Sequence, residues 1–396
     1  MQADPQPKKV IYLDNNATTP IDRRVLDAMM PYLTHEFANA NSTHQFGVNA
    51  YEAVKKARKQ VAELIAAEPH EIVFTSGATE AINLAIKGVA ENYQHKGRHM
   101  VTVATEHSAV LDCCKYLEKK GFEVTYLPVQ TDGLLDLEVV KAAIRPDTIL
   151  VSVMLANNET GVIQPIEQIA QMAHEKGALF MSDTTQAVGK IPVDVDAMGI
   201  NLLCMSGHKI YAPKGVGALY VRQRENRVKL PALLHGGGHE KGMRSGTLNV
   251  PGIVALGTAC ALAQKEMSAN AEKIKALRDY LESELLKIEG TSVNGNREQR
   301  LYNTSNILFR GIDSDALILG LSNLENNEPI IAVSNGSACT SASMEPSHVL
   351  VAMGLEEGDA FSSIRFSFGK SSEKLDVSTC VDAVQSTCRS LHSLRL

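Results

Sequence analysis

The chain has 396 residues, 44% of them hydrophobic and 21% charged, with a formal net charge of −6. That much apolar material excludes a disordered chain, and the length exceeds what one hydrophobic core usually serves, so two domains are expected. The acidic balance offers no general attraction to nucleic acid or an anionic membrane, which leaves a small molecule or a protein as the expected partner.

Residues 1–9 are polar and proline-bearing and lack the apolar core of a signal peptide. The longest apolar stretch, 250–263, is interrupted by Pro251, Gly252, Gly257 and Thr258 and is too short to span a bilayer. A cytoplasmic protein is therefore expected. Seven cysteines, of which only Cys113 and Cys114 are close in sequence, make neither a disulfide framework nor a paired set of metal ligands. Their thiols should be reduced.

Between 71 and 222 short apolar runs alternate with helical patterns, the sign of a mostly parallel sheet covered on both faces. Seven strands are predicted, at 71–75, 99–104, 122–129, 148–155, 178–183, 200–205 and 216–222. Ile82, Ala85, Ile86 and Val89, and then Leu137, Val140 and Ile144, fall at helical spacing and predict core faces. Further on, Ile274, Leu277, Leu281 and Leu285 recur through the charged segment 264–288, which predicts a long amphipathic helix leaving the first domain near Gln264. Strand-like 305–309 and 364–368 then alternate with helix candidates 314–324 and 378–394. The fold class is α/β, with a smaller α/β layer after the large one.

Two segments carry most of the chemistry: Asp183-Thr184-Thr185-Gln186 and Ser206-Gly207-His208-Lys209. Each follows a predicted strand, and in open α/β sheets ligands bind outside the carboxyl ends of the strands. An acid, an amide, a hydroxyl, an imidazole and an amine thus arrive together, and the set reads as a pyridoxal phosphate site. Facing a pyridine nitrogen, Asp183 would keep it protonated, so that the ring withdraws electrons from a carbanion at the substrate's Cα; alone, an Asp here caps a turn. A shielded Lys209 would offer a neutral amine that bonds the cofactor aldehyde and then moves the Cα proton, whereas an ordinary lysine is simply solvated. Ser206 and His208 would donate to the phosphate, and Gly207 allows close backbone approach.

Earlier in the chain, Thr75-Ser76-Gly77-Ala78-Thr79-Glu80 lies between a strand and a helix, where free backbone N–H groups and the helix dipole favour an anion. It is a phosphate cradle candidate, although such a turn also serves merely to cap a helix. His107 follows another predicted strand and could stack on the cofactor ring or be a plain loop histidine. Gln186 and Asn158 could both reach the ring hydroxyl. Their plain alternatives are a surface glutamine and an Asx turn, and the turn is assigned to Asn157.

Toward the C-terminus, the small and polar run Ser334-Asn335-Gly336-Ser337-Ala338-Cys339-Thr340-Ser341-Ala342-Ser343 predicts a mobile loop with an exposed cysteine. Cys339 is either a chance residue in a linker or a thiolate on a swinging arm that collects sulfur in one place and delivers it in another. Arg365, on an apolar strand, is either a rim salt bridge or a bidentate clamp for a substrate α-carboxylate. His235-Gly236-Gly237-Gly238-His239 has no third ligand at a sensible spacing, so no metal site is predicted there. With Arg244-Ser245-Gly246-Thr247 it is expected to border a site or a subunit contact.

These motifs resemble those of the group I cysteine desulfurases, the IscS/NifS kind, within the fold-type I pyridoxal phosphate enzymes of the class V aminotransferase family. The resemblance is nearly end to end. It runs from Tyr12-Leu13-Asp14-Asn15-Asn16-Ala17-Thr18-Thr19-Pro20 through Ser76-Gly77-Ala78-Thr79-Glu80, Ser206-Gly207-His208-Lys209 and His235-Gly236-Gly237-Gly238 to Gly336-Ser337-Ala338-Cys339-Thr340-Ser341 and Arg365. The cysteine segment is its specific part, since other members of the superfamily share the cofactor residues without it.

The resemblance implies a fold-type I architecture: a large domain over 15–263 with a seven-stranded mainly parallel sheet, and a small domain formed by 1–14 and 264–396 that carries the cysteine loop at 334–343. It implies that Lys209 binds pyridoxal phosphate covalently and that Asp183 pairs with the pyridine nitrogen. Gln186 and Asn158 would hold the ring hydroxyl, and His107 would stack on the ring. Ala78, Thr79, Ser206 and His208 would hold the phosphate, with Thr247 arriving from the partner of a homodimer. Asn158 and Arg365 would bind L-cysteine. Cys339 would take its sulfur as a persulfide, leaving L-alanine, and pass it to an acceptor protein for iron–sulfur cluster assembly, tRNA thiolation or DNA phosphorothioation. A transient iron–sulfur contact at Cys339 is a further implied option, and a selenocysteine lyase or aminotransferase is the alternative activity. Two departures bear on the acceptor: 324–329 looks slightly extended, and the chain stops at Leu396 without the longer tail that housekeeping members use near their scaffold.

Overall fold

The computed structural model describes residues 10–225, 227–322, 329–335 and 345–393. Cys339 and the extended stretch at 324–328 lie outside the described residues. The chain opens with β1 (Val10–Tyr12), α1 (Arg23–Thr34) and α2 (Gln45–Leu64). Then come β2 (Ile72–Thr75), α3 (Ala78–Tyr93), β3 (His99–Val103), α4 (Ser108–Glu118), β4 (Glu123–Leu127), α5 (Leu137–Ala143), β5 (Thr148–Ser152), α6 (Ile166–Glu175), β6 (Leu179–Asp183), β7 (Leu202–Ser206) and β8 (Gly217–Val221).

Strands β2 to β8 form the seven-stranded sheet, in the order β2-β8-β7-β6-β5-β3-β4. Five neighbouring strands from β4 to β7 run parallel, while β8 is antiparallel to both β2 and β7. All seven predicted strands are present, several trimmed at their ends. Side chains alternate between the two faces, as a pleated strand requires. On one face Val101, Leu203 and Tyr220 join a core with Val54, Val61 and Ile169 of α2 and α6. On the other, Met100, Leu202 and Leu219 pack with Ile82, Ile86 and Val89 of α3 and with Val110 and Leu117 of α4. A sheet buried on both faces explains why these strands read as continuous apolar runs.

Helix α7 (Val250–Leu285) is a single helix of 36 residues. The sequence pattern had pointed to a helix beginning near 264, but the preceding apolar stretch is the helix's first half. Its buried glycines and β-branched residues hide the helical period. Pro251 sits in the first turn, where its missing N–H costs nothing. Gly257 lies so close to α2 that a Cβ there would stand 2.5 Å from Ala57 Cα. The first half of α7 buries Ile253, Leu256 and Cys260 in the core shared with α2. Its second half buries Ile274, Leu277, Leu281 and Leu285 in a separate core. The boundary expected near Gln264 therefore falls inside this helix.

The remaining elements are β9 (Thr291–Val293), β10 (Thr304–Phe309), α8 (Ser314–Ser322), β11 (Ile330–Ala332), α9 (His348–Ala352), α10 (Glu357–Phe361), β12 (Ser363–Ser367) and α11 (Lys374–Ser393). Val349, Leu350 and Ala360 of α9 and α10 form a small cluster of their own, while the second core draws on β10, α8, β11, β12 and α11, through Ile307, Phe309, Leu317, Ile331, Ile364, Phe366 and Val381. Strands β12, β10 and β9 make an antiparallel sheet, and β1 pairs in parallel with β11, so that Ile11 and Leu13 enter this core. No helix among the described residues is long and apolar enough to cross a membrane.

Candidate active site

Asp183 ends β6 and Ser206 ends β7, both at the carboxyl edge of the large sheet, where a doubly wound fold collects ligands. A cavity of about 510 Å³ lies there. Its walls include Asp183, Gln186, Ser206, His208 and Lys209. Ala78 and Thr79 of α3 also line it, together with His107, Asn158 and Arg365. Ten of the twelve residues singled out from the sequence thus meet at one cavity. Thr247 stands outside it on the exposed surface, and Cys339 lies outside the described residues.

Lys209 closes a three-residue turn, Gly207–Lys209, that follows β7 directly. Its Nζ donates to the backbone oxygens of Asn16 (2.6 Å) and Ala17 (2.7 Å). Asn16 is held in turn: its backbone N–H donates to Ser367 Oγ, its amide donates to Asn158 O and Thr304 Oγ1, and Asn303 donates to its Oδ1. The Lys209 amine therefore rests on a residue, Asn16, that four hydrogen bonds fix.

Asp183 is only 6% exposed, and its carboxylate accepts the Thr185 N–H at 2.9 Å. It caps the following turn and lines the cavity at once, so the two readings of it are compatible. Beside it Glu106 is completely buried, with Oε1 accepting the Met154 N–H at 2.5 Å and Oε2 unpartnered. Burial, and then the charge of Asp183, pushes the Glu106 carboxyl well above the usual carboxylate range. Gln186 is buried rather than at the surface, its Nε2 donating to Asn16 O at 2.9 Å.

His107 is the N-cap of α4, and its Nδ1 accepts the Ala109 N–H at 3.1 Å, which places the imidazole proton on Nε2. Asn157 makes the turn assigned to it, its Oδ1 accepting from the N–H groups of Glu159 and Thr160. Its neighbour Asn158 is thereby left on the cavity wall. Arg365 is 2% exposed on β12, where it donates to Asp14 Oδ1 at 2.7 Å and to Asn158 O at 3.1 Å, with its Nε buried and unpartnered. This is an ion pair, but a buried one at the cavity and not at a rim.

The cradle lies where β2 passes into α3, with the N–H groups of the first helical turn at the cavity. Strand β8 runs so close beneath it that a Cβ on Gly217 would stand 2.7 Å from Gly77 Cα. Glu80 Oε2 accepts the Ser76 N–H, and Glu80 also pairs with Arg244 at 2.8 Å, which ties the cradle to the 244–247 run. Burial first, then the charges of Lys209, Lys214 and Lys190, depresses His208 to about 4. It is therefore a neutral imidazole at neutral pH, and its Nδ1 lies 3.1 Å from Thr18 Oγ1.

This donor set fits pyridoxal phosphate. Helix N–H groups with the Ser206 hydroxyl and the His208 imidazole suit a phosphate, the Asp183 carboxylate suits a pyridinium nitrogen, and Lys209 suits an aldehyde. The buried Thr185 hydroxyl at the cavity, and Arg365 Nε, have donor capacity to spare.

Six of the seven cysteines are described, and all six are buried and free. Burial pushes Cys113 and Cys388 to about 11, Cys114 and Cys380 to about 12, and Cys204 and Cys260 upward as well. They remain thiols at neutral pH and are poor nucleophiles. The seventh is Cys339.

Sequence reasoning passed over the carbonyls of Asn16 and Ala17, the buried Glu106, and the lysines Lys190 and Lys214. Glu106 had a signal, an acid at a predicted strand end just before His107. Backbone acceptors leave no trace in residue type.

The class-V aminotransferase family model matches residues 11–380. Over 390 residues the chain is 51% identical to the cysteine desulfurase IscS of Pectobacterium carotovorum subsp. carotovorum (strain PC1), covering 98% of this chain and 95% of that one. A solved NifS-like protein superposes with a TM-score of 0.88 at 37% identity, over 98% of this chain and 100% of its own. The structure of SspA in complex with cysteine superposes with a TM-score of 0.79 at 40% identity, over 91% of this chain and 99% of that chain.

Proposed function

The chain belongs to the class-V aminotransferase family, and from that premise we propose how its residues divide the work of a cysteine desulfurase. With pyridoxal phosphate the enzyme converts L-cysteine to L-alanine and transfers the sulfur to an acceptor. Bound in the cavity, the cofactor supplies an electron-accepting ring for the charge that develops at the substrate's Cα.

Lys209 would hold the cofactor through its aldehyde, and its Nζ would take and return the Cα proton. Asp183 would keep the pyridine nitrogen protonated, His107 would stack on the ring, and Gln186 and Asn158 would hold the ring hydroxyl. Ala78, Thr79, Ser206 and His208 would bind the phosphate. Arg365, with Asn158, binds the α-carboxylate of cysteine. The Cys339 thiolate attacks the substrate sulfur: an S–S bond forms as the C–S bond breaks, the C–S electrons stay with carbon, and protonation there yields alanine. Cys339 then carries the sulfur as a persulfide to the acceptor protein. The reading rests on the convergence of Lys209, Asp183 and Arg365 on one cavity, and the six buried cysteines favour Cys339 as the nucleophile. Holoenzyme given L-cysteine without reductant is expected to yield about one alanine and one persulfide per chain. Sulfur transfer at the wild-type rate by Cys339→Ser would falsify the role of that thiol.

The same reading makes the protein a homodimer working in the cytoplasm, where thiols stay reduced. Phe37 is 70% exposed, and Met30, Leu33, Tyr51, Leu233 and Leu234 are exposed as well. Asn41 and His239, 2.6 Å apart, tie the loop between α1 and α2 to the glycine-rich run. A second copy seated on this face covers the apolar side chains and carries the exposed Thr247 toward the partner's phosphate. Sedimentation of wild type as a dimer, and of Phe37→Lys as a monomer, tests the arrangement. We further assign 15–263 to a large domain and 1–14 with 264–396 to a small one. The second core, which among the described residues draws on Ile11, Leu13 and positions from 274 onward, supports this division.

A further inference from the structure

Lys190 is a buried lysine that none of the roles above employs. It is 8% exposed, and among the described residues its hydrogen-bond partner is Gln186, whose Oε1 lies 2.8 Å from Nζ. The charges that bear on it belong to Lys209 and Arg365, both cations. A small cavity of about 40 Å³ is lined by Lys190 and Lys209, and its other ionisable groups are Asp22, Tyr211, Glu266, Tyr302 and Lys370. Asp22 and Glu266 are already paired with Arg24 and Lys370. Burying an ammonium in such company is unfavourable. Burial first, then Lys209 and Arg365, brings Lys190 down to about 7. A residue kept in so costly a place points to what it touches.

Lys190 Nζ donates to Gln186 Oε1, Gln186 Nε2 donates to Asn16 O at 2.9 Å, and that same carbonyl accepts Lys209 Nζ at 2.6 Å. A glutamine amide turned end for end fills the same space, so packing alone does not select its orientation. With Lys190 donating on one side and a carbonyl accepting on the other, only one orientation satisfies both partners. It leaves the second amide hydrogen of Gln186 for the ring hydroxyl of the cofactor. We propose that Lys190 is a positioning residue, fixing the Gln186 amide toward the cofactor and, through the shared Asn16 carbonyl, the resting place of the Lys209 amine. The inference rests on the assignment of Gln186 to the ring hydroxyl.

The test is a double-mutant cycle on the holoenzyme, read by its near-ultraviolet to visible absorption band. Lys190→Met is expected to move the pH midpoint of the band by about one unit, upward because a cation near Lys209 is removed, and to weaken cofactor binding roughly tenfold. In a Gln186→Ala background the same substitution is expected to weaken cofactor binding no further, because that route of action is gone, while the through-space shift of the midpoint persists. A residue that only fills space would instead give additive effects on binding. Should Lys190→Met not fold, Lys190→Gln, too short to reach Gln186, is read on the same two scales and must show the same shift. Wild-type behaviour of the Lys190 variants while Gln186→Ala moves the band overturns the role of Lys190 and leaves the Gln186 assignment standing. An unmoved band in Gln186→Ala overturns that assignment, and the inference with it.

Discussion

Arg365 and Asp14 meet at 2.7 Å although 351 positions separate them in the chain. Asp14 follows β1, which is hydrogen-bonded to β11, and Arg365 lies on β12, where its backbone exchanges hydrogen bonds with Ser334. The guanidinium is thereby held in position with a carboxylate already upon it. In the proposed substrate clamp an arriving carboxylate would compete with Asp14 for the same donors. Asp14→Asn keeps a hydrogen-bond acceptor and removes the competing charge, so KM for cysteine is expected to fall several-fold with kcat little changed. Arg365→Lys loses the fork geometry and is expected to lower kcat/KM by roughly 10–100-fold. Steady-state alanine production checks both.

Asp183 caps a turn and, in the proposed function, is also the ring's counter-charge, and two substitutions separate the roles. Asp183→Asn still accepts from Thr185, so its melting temperature should stay close to wild type while kcat falls by roughly 10²-fold or more. Asp183→Ala loses the cap as well and should cost about 1 kcal/mol of additional stability. Denaturant melts beside turnover assays distinguish the two effects.

Lys209→Ala removes the amine proposed to bond the cofactor and move the proton. The holoenzyme band is expected to disappear, or to shift to that of the free aldehyde, and turnover to fall by roughly 10²–10⁴-fold. Retention of the wild-type spectrum would show that another amine holds the cofactor.

His208 gives the cofactor-free protein an acid sensitivity whose sign follows from its depressed value. In the unfolded chain it binds a proton below about 6.5, while in the folded state it stays neutral down to about 4. Between these limits the unfolded state holds more protons, so stability rises with pH across the window and is lost as pH falls from 6.5 toward 4. Urea midpoints at pH 5 and pH 7 should lie closer together in His208→Asn than in wild type.

The seven strands were legible because burial on both faces writes each as a short apolar run between turn residues. The cluster at 183–186 and 206–209 was legible because several chemically distinct polar types stand together at strand ends. The start of α7 was hidden, since Gly252, Gly257 and Thr258 lie in a helix stretch buried nearly all round and blur the period that an amphipathic helix displays. Lys190 was passed over for a different reason. Its neighbours Val188, Gly189 and Ile191 say nothing of burial beside Gln186, which arises only when the turn after β6 folds back. Residue type announces donors such as Lys209, but the oxygens of Asn16 and Ala17 that receive it belong to the main chain and are common to every residue.

Helix α7, at about 1.5 Å per residue, is a rod of roughly 54 Å whose two halves are rooted in different apolar interiors. A loop between those interiors would let one melt while the other stood. A continuous helix cannot fray at its middle without exposing leucines of both, so the rod welds the two lobes into one cooperative body, and heat should undo them in a single transition.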